Sequence, residues 1–355
     1  MKITVVGSFD TENFGLHIAE NLEAMGHQVR RCSYYHQHDS FLRYGKLNSV
    51  LRVIDREMHY ASPQTRRLVM RPLIEDICSR PADLLIATFD YFKRDDLEAI
   101  RGSLPDVKIV MWFPDHMKSF GRAFFMAACY DALFFKDPFI VRNLYDVYEI
   151  NAYYLPEAFS PLRHRVTEDF EQRRAEYACD IAVIGSQHSF RVPLLEKLLD
   201  YDIRLYGVGS PWWLDVSKIE RFYTGKFAAY EEKSNIFAGA KVALNTLYFA
   251  EVEGVNVRAF EIAGSGGFQM IQWKAGLQEL FAIDEEVVAY NSAQELREKL
   301  DYYLPRQEER QRIAMAGKKR AYLEHTYEKR LQRLIDMTME KGHARQAHLD
   351  YHATA

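Results

Sequence analysis

The sequence predicts an α/β protein built from two parallel-sheet domains that face a central cleft. The chain has 355 residues, which corresponds to about two domains of ordinary size. Short apolar, β-rich runs alternate with longer helix-like segments, an order typical of parallel strands joined by right-handed crossovers. The alternation occurs twice, once on each side of a proline-punctuated and charge-rich stretch at residues 156–177.

Eleven runs are candidate strands, six before that stretch and five after it. They lie at residues 2–6, 28–32, 83–87, 108–112, 131–135, 152–155, 180–184, 203–206, 241–245, 268–272 and 286–290. Several are apolar throughout, as expected of strands that are covered on both faces. The intervening segments have helical character, especially 192–200 and 295–304.

The two series define the expected domain plan. We expect a first α/β domain at residues 1–160, a linker at 161–178 and a second α/β domain at 179–325. A C-terminal helix at 326–340 and a flexible polar tail at 341–355 complete the chain.

Charge and composition disfavour several classes of protein. With 46 Lys and Arg against 50 Asp and Glu, the net charge is −4, which is too balanced for nucleic-acid binding through phosphate neutralisation. No apolar run approaches the ~20 residues that cross a bilayer, and the N-terminus has no signal-peptide pattern. The four cysteines lie far apart, which is typical of reduced thiols. We therefore expect a cytoplasmic protein without a transmembrane segment.

Two loops that follow strands are candidates for ligand binding, because open parallel sheets bind ligands at the carboxyl ends of their strands. Gly7 follows the first strand, where it permits a tight turn or a close backbone approach. Gly185 and Ser186 follow the first strand of the second series, with Arg191 at the start of the next helix. Small residues, backbone amides and an arginine suit an anion. The alternatives are an ordinary strand–helix turn and a solvated arginine.

Residues 253–267 carry the most informative pattern. A short helix holds Glu261, and Gly264, Gly266 and Gly267 follow directly before an apolar strand. Backbone amides of such a loop can approach a diphosphate. A carboxylate one turn earlier can accept hydrogen bonds from both hydroxyls of a ribose. The alternative is that the glycines cap a helix and that Glu261 lies on the surface.

The run GVNVRAFEIAGSGGFQM at 254–270, with IAMAG and His325-Thr326-Tyr327 further on, resembles the CgeB-like, spore-maturation-protein-like branch of the group-1 glycosyltransferases. The resemblance extends over residues 180–330 and is looser over 1–155. It implies the GT-B fold, in which two Rossmann-like domains face a donor cleft and C-terminal helices pack back toward the first domain. It also implies transfer of a sugar from a nucleotide sugar, with UDP the most common carrier in the family.

The resemblance further implies roles for single residues. Glu253 and Glu261 have the spacing of two glutamates in group-1 enzymes, and Glu261 matches the one that holds the donor ribose. For Glu253 the alternative is a carboxylate on a surface loop. The glycines would lie near the donor diphosphate, with Arg191 and Lys226 as basic ligands, although Lys226 can equally be solvated. The other donor-binding candidates are Gly7, Gly185, Ser186, Asn245, Asn256 and Arg258.

The GT-B fold generally works without a bound metal, so we expect neither a metal nor a cofactor. A D-x-D metal signature would argue otherwise. The D-x-D sequence Asp200-Tyr201-Asp202 ends a predicted helix, which is a poor place for a donor metal, and we interpret it as a chance match. Arginine, lysine and backbone amides would then stabilise the leaving diphosphate.

A general base for the acceptor hydroxyl is expected from the first domain. Asp115 and His116, in the loop after the fourth strand, are the catalytic candidates, and Asp10, Asp90 and His17 are further ones. The alternative for Asp115 is a helix N-cap. A histidine near the domain junction, His325, is predicted to be structural.

Three functions remain open. The first is a glycosyltransferase that moves a sugar from a nucleotide-sugar donor to a hydroxyl acceptor whose identity the sequence does not reveal. The second is a nucleotide-sugar epimerase on the same fold, and the third is a non-catalytic nucleotide-sugar-binding or coat-assembly protein.

Overall fold

The computed structural model describes residues 1–34, 62–186 and 188–339, and the tail predicted at 341–355 lies outside these residues. The eleven predicted strands are all present, each within one or two residues of its expected bounds. They are β1 (Lys2–Gly7), β2 (Gln28–Ser33), β3 (Leu84–Ala87), β4 (Lys108–Phe113), β5 (Ala132–Phe135), β6 (Ala152–Tyr154), β7 (Ile181–Ile184), β8 (Ile203–Tyr206), β9 (Val242–Asn245), β10 (Gln269–Gln272) and β11 (Val288–Tyr290).

The strands form two parallel sheets. The first sheet has the order β2-β1-β3-β4-β5-β6, and the second has the order β11-β10-β9-β7-β8. The described helices are α1 (Phe14–Ala24), α2 (Pro63–Cys78), α3 (Arg94–Ser103), α4 (Pro138–Tyr148), α5 (Phe170–Tyr177), α6 (Val192–Leu195), α7 (Tyr230–Gly239), α8 (Arg258–Ser265), α9 (Leu277–Leu280), α10 (Ala293–Tyr303), α11 (Gln307–Glu324) and α12 (Tyr327–Met339). The predicted class, two parallel-sheet α/β domains, is confirmed.

Strand β4 illustrates how the first sheet is covered on both faces. Its side chains alternate, as the two-residue period of a strand requires. Ile109 and Met111 point into a core that includes residues of α2, α3 and α4. Val110 and Trp112 point into the opposite core, which includes residues of α1 and α12. Both faces are therefore buried, which explains why the strand is apolar at every position.

The last two helices connect the domains. α11 packs beside α8 of the second domain. α12 then crosses to the first domain, where Leu331 and Leu334 are buried in the same core as Ile3. The expected return of the C-terminal helices to the first domain is thus confirmed.

His325 lies at the start of that crossing. Its Nε2 donates to the Leu280 carbonyl at 2.7 Å, and its Nδ1 accepts from the Arg330 guanidinium at 2.7 Å. Burial and the charge of Arg330 lower the pKa of His325 to about 3, so the ring is neutral. These bonds give His325 the structural place that the sequence predicted.

Two segments differ from the sequence interpretation in detail. Residues 170–177 lie in the stretch expected to be a linker but form α5, whose Phe170 and Tyr177 are buried against residues of β7. The helix expected at 192–200 is confined to the short α6. No helix among the residues with described coordinates is long and apolar enough to cross a membrane.

Candidate active site

The side of the cleft formed by the second domain is centred on Arg191. β7 and β9 are neighbours in the second sheet. The chain runs from β7 to β8 at one edge of the sheet and from β9 to β10 toward the other edge, so a crevice opens at the carboxyl ends of β7 and β9. Arg191 is only 1% exposed. Its Nε donates to Thr246 Oγ1 at 2.9 Å, and Nη1 donates to the carbonyls of Gly185 at 3.1 Å and Ser186 at 2.8 Å. Arg191 thereby joins the loops that follow the two strands.

A second guanidinium lies close to Arg191. A Cβ placed on Gly185, whose φ is 125°, would lie 3.2 Å from Arg258 Nη1 and 3.6 Å from Arg191 Nη1. Burial and the charge of Arg258 lower the pKa of Arg191 to about 9, and burial also lowers the pKa of Arg258. Within the described ranges, no carboxylate forms an ion pair with either side chain. Two adjacent cations at the N-terminus of α8 make a site suited to an anion.

Glu261, on the first turns of α8, belongs to a charge cluster that spans the two domains. Its Oε1 accepts from Lys233 Nζ at 2.9 Å, and Lys233 also forms a very short ion pair with Glu12 of the first domain. Glu12 Oε1 accepts in addition from the backbone N–H of Tyr230 at 2.6 Å. Burial opposes ionisation of Glu261, but the charge of Lys233 and its hydrogen bond outweigh burial and lower the pKa of this carboxyl. Glu261 therefore lies in the cleft as an ionised group, and its Oε2 has no hydrogen-bond partner among the described atoms.

Two buried histidines complete this cluster. His164 Nε2 lies 3.5 Å from Oε1 of both Glu12 and Glu261, and its Nδ1 accepts from the Ser160 backbone N–H at 3.2 Å. His17 stacks on the Tyr327 ring with the centroids 5.6 Å apart. Burial lowers the pKa of His17 to about 4, so it is neutral near pH 7.

The side chains of Glu12, His17 and His164 bring three potential ligand atoms within 4.8 Å of one another. They do not fit a metal ion well. Because His164 Nδ1 accepts a backbone hydrogen bond, its proton resides on Nε2, the atom that would have to bind the metal. The ammonium group of Lys233 also neutralises Glu12. The cluster is better suited to an uncharged hydroxyl-bearing group than to a cation.

A third buried cluster lies under the same cleft. Lys136, directly after β5, contacts Glu251 Oε1 at 2.9 Å and Glu157 Oε2 at 3.4 Å. Burial, with the charges of Glu251 and Asp115, raises the pKa of Glu157 to about 7, although Lys136 opposes the shift. The cluster holds two carboxyl groups against one ammonium, so a proton can reside on Glu157 near neutral pH.

The predicted catalytic pair lies at the mouth of the cleft. Asp115 accepts from Ser119 Oγ at 2.6 Å and from the backbone N–H of His116 at 2.9 Å. The His116 ring lies 4.6 Å from the ring of Tyr248, which belongs to the second domain. Lys118 donates to the Tyr248 hydroxyl at 3.1 Å. The bonds to Asp115 stabilise the short turn that follows it, and the carboxylate remains 38% exposed.

The three glycines do not form a phosphate-binding loop, and this corrects the prediction for them. Gly264 lies inside α8, where an added Cβ would meet the Phe159 ring at 2.5 Å, and Gly266 ends the helix with a φ of 80°. A Cβ on Gly267 would lie 2.8 Å from the Phe237 carbonyl oxygen. A helix C-terminus carries partial negative charge and does not attract a diphosphate. The glycines thus fit the helix-cap alternative, whereas Glu261 is buried and not on the surface as that alternative expected.

Three other candidates have partners that explain them structurally. Glu253 forms a very short ion pair with Arg142 of α4, so it links the two domains and is not a simple surface carboxylate. Asn245 and Asn256 exchange side-chain hydrogen bonds of 3.0 and 3.1 Å, which fasten the loop before α8.

Two candidates lie away from the charged clusters of the cleft. The side chain of Lys226 is exposed. Gly7 faces Thr88, whose hydroxyl would clash with a Cβ at that position, so a packing role is sufficient to explain it.

Several residues of the clusters were missed by the sequence analysis. Lys136 carried a signal, because a lysine directly after the apolar strand ALFF stands at the carboxyl end of the sheet. The others stand in a loop, a linker or a helix without a distinguishing pattern, and they are Glu12, Glu157, His164, Lys233 and Glu251.

Comparisons with known proteins agree with this architecture. Residues 187–336 match the model of a family described as glycosyl transferase-like. No curated protein sequence matches the chain. Sucrose-phosphate synthase from Thermosynechococcus elongatus has a similar structure, with a TM-score of 0.66 at 11% identity over 100% of both chains.

Two further structures have the same fold. HepE from Anabaena in complex with UDP-glucose has a TM-score of 0.64 at 11% identity, covering 95% of this chain and 99% of HepE. The N-terminal domain of trehalose-6-phosphate phosphatase from Candida albicans has a TM-score of 0.66 at 12% identity, with 95% and 96% covered. The chain has the GT-B fold, and residues 187–336 are similar to a glycosyltransferase family.

Proposed function

We propose that the protein transfers a sugar from a nucleotide sugar, most simply a UDP-sugar, to a hydroxyl group of an acceptor, without a metal ion. The observation that carries this proposal is the pair Arg191 and Arg258, two cations without carboxylate partners in the described chain, at the N-terminus of α8. A nucleoside diphosphate supplies the negative charge that this pair lacks. The complexes of HepE with UDP-glucose and with UDP support the choice of UDP.

The residues divide the chemistry between them. The acceptor oxygen attacks the anomeric carbon, the bond from that carbon to the diphosphate breaks, and the two arginines stabilise the negative charge that develops on the leaving diphosphate. Glu261 Oε2 accepts hydrogen bonds from the ribose. Asp115, at the mouth of the cleft beside His116, takes the proton of the acceptor hydroxyl.

The same pair of charges supports the proposal that no metal is needed. The arginines supply the positive charge that a divalent cation provides in metal-dependent enzymes. In the D-x-D sequence, Asp200 pairs with Arg297 at 2.6 Å, and the Asp202 carbonyl accepts from the backbone N–H groups of Asp180 and Ile181 at 3.0 Å. We expect turnover to continue in EDTA.

Thermal stabilisation by UDP, GDP, dTDP, ADP and NAD tests the proposal, with Arg258→Gln as the key variant. A ligand at about 100 times its Kd adds roughly 2.7 kcal/mol of stability. Loss of a charged hydrogen bond should weaken diphosphate binding about 10- to 100-fold in Arg258→Gln. Arg297→Gln, which removes a surface partner of Asp200, is the matched control and should bind normally.

The outcomes separate the candidate functions. Stabilisation by one nucleoside diphosphate, lost in Arg258→Gln, together with release of that diphosphate from its sugar conjugate, supports the proposal. Stabilisation by NAD alone would refute it. Conversion of the free nucleotide sugar into an isomer would instead indicate an epimerase, and binding without any turnover would indicate a non-catalytic protein.

A further inference from the structure

We propose that His164, together with Glu261, binds the ribose of the donor. In this arrangement His164 Nε2–H donates to the 2′-hydroxyl of the ribose, and the same hydroxyl donates to Glu261 Oε2. The inference rests on the proposed function and adds to it a specificity-determining residue from the segment between the two sheets.

The first step concerns the proton on His164. The ring is 1% exposed, and its Nδ1 accepts from the Ser160 N–H at 3.2 Å. A neutral imidazole that accepts at Nδ1 must carry its proton on Nε2. The Nε2 atom is therefore a donor whose direction is fixed by the backbone of residue 160.

The second step concerns the missing partners. Neither His164 Nε2 nor Glu261 Oε2 has a hydrogen-bond partner among the described atoms, and both atoms are buried. His164 Nε2 lies 3.5 Å from Glu261 Oε1, so a donor without a partner and a carboxylate with a free oxygen stand side by side. Buried polar groups are nearly always satisfied in a functional state. A hydroxyl group satisfies both, because it accepts one hydrogen bond and donates another.

The third step explains why Glu261 keeps one oxygen free. Its other oxygen, Oε1, is held by Lys233 at 2.9 Å, and Lys233 is held in turn by Glu12 from the first domain. Glu12 and Tyr230, which are hydrogen-bonded to each other, both have left-handed backbone conformations, with φ values of 66° and 51°. Such strain in residues other than glycine persists where surrounding contacts fix it, often at ligand sites. The carboxylate is thus oriented before any ligand binds.

Two substitutions separate this role from a purely structural one. In His164→Asn the amide oxygen can replace Nδ1 as acceptor for the Ser160 N–H, but the Nε2 donor is lost. In His164→Gln the amide nitrogen can reach the position of Nε2, but the bond to Ser160 is weakened. If His164 binds the ribose, the preference for a ribose ligand should be lost in His164→Asn and kept in His164→Gln. If His164 has only a structural role, His164→Asn should be the less damaging substitution.

The measurement is calorimetric binding of UDP, GDP and ADP, each compared with its 2′-deoxy counterpart. We expect the wild type to prefer the ribose form of its diphosphate by about ten-fold or more, because a buried carboxylate otherwise loses a hydrogen bond. His164→Asn should lose most of this preference and His164→Gln should keep it. Arg258→Gln should weaken both forms equally, since it acts on the diphosphate.

Each result decides the matter. An unchanged preference in His164→Asn, or a wild type that binds both forms equally, would overturn the role of His164 and leave the proposed donor site intact. A wild type that binds none of these diphosphates would overturn both proposals. If His164→Asn does not fold, the wild type labelled with ¹⁵N-histidine replaces it: the His164 Nε2 resonance must shift with the ribose diphosphate and not with the deoxy form.

Discussion

The packing of Gly264 gives a sharp test of how α8 is used. Gly264 lies within the helix, and a Cβ at this position would lie 2.5 Å from both Cδ2 and Cε2 of Phe159 and 2.8 Å from its Cγ. Phe159 is fully buried, so its ring has no solvent into which it can move. We expect Gly264→Ala to destabilise the protein without changing its affinity for a nucleoside diphosphate.

The magnitude follows from two opposing effects. Alanine in place of glycine favours a helix by about 0.5–1 kcal/mol. Overpacking a buried site costs about 1–3 kcal/mol, and three ring carbons inside ordinary contact distance argue for the upper part of this range. The net loss of unfolding free energy is then about 1–2 kcal/mol. An unfolding entropy of about 0.7 kcal/mol/K for 355 residues converts this loss to a decrease in Tm of about 1–3 °C.

Gly102 provides the matched control. It lies in α3, and a Cβ added there meets no atom within 4 Å. The same substitution, Gly102→Ala, should therefore raise stability by about 0.5–1 kcal/mol. Denaturant unfolding of both variants, with diphosphate affinity measured in parallel, gives the answer. If Gly264→Ala is as stable as Gly102→Ala, or keeps its stability and loses diphosphate binding, the packing argument is refuted.

Three other predictions concern charges in and near the cleft. Because burial raises the pKa of Glu157 from 4.5 to about 7, stability should fall by about 3 kcal/mol as pH rises through this window, and Glu157→Gln should flatten that part of the profile. Because burial lowers the pKa of His17 from 6.5 to about 4, stability should fall by a similar amount as pH drops through that window, and His17→Gln should reduce the loss. Denaturant unfolding at a series of pH values measures the effects of both Glu157 and His17. A double-mutant cycle on Arg142 and Glu253, both partly exposed, should give a coupling of about 0.5–1 kcal/mol in unfolding free energy. A coupling of zero would show that this ion pair does not stabilise the contact between the domains.

The fold could be predicted because its signals are local. An apolar strand such as β4 must be covered on both faces, and the alternation of strands with helices leaves a parallel sheet as the natural solution. These patterns need no knowledge of which segments meet in space. They were enough to locate all eleven strands and the cleft at the carboxyl ends of the sheets.

The candidate site could be predicted only where a residue stood next to such a signal. Arg191 follows β7 and the Gly185–Ser186 turn, and the structure brings it into the crevice between β7 and β9. Gly264 also precedes a strand, but a glycine is required there because the Phe159 ring leaves no room for a Cβ. A glycine in a sequence indicates that a side chain would not fit at that position. It does not indicate whether a ligand or another part of the protein occupies the space.

The sequence by itself determined the two-domain parallel-sheet architecture, and the tertiary structure alone decided which charges meet. Glu12, His164, Lys233 and Glu261 come from four distant segments, and each would be an ordinary surface residue in isolation. The ionisation of Glu12, Lys233 and Glu261 depends on burial and on distant partners, and Lys233 and Glu12 are separated by 221 residues. Hydrophobic periodicity is a local property of the sequence. The electrostatics of a cleft arises only when folding brings distant charges together and removes water from between them.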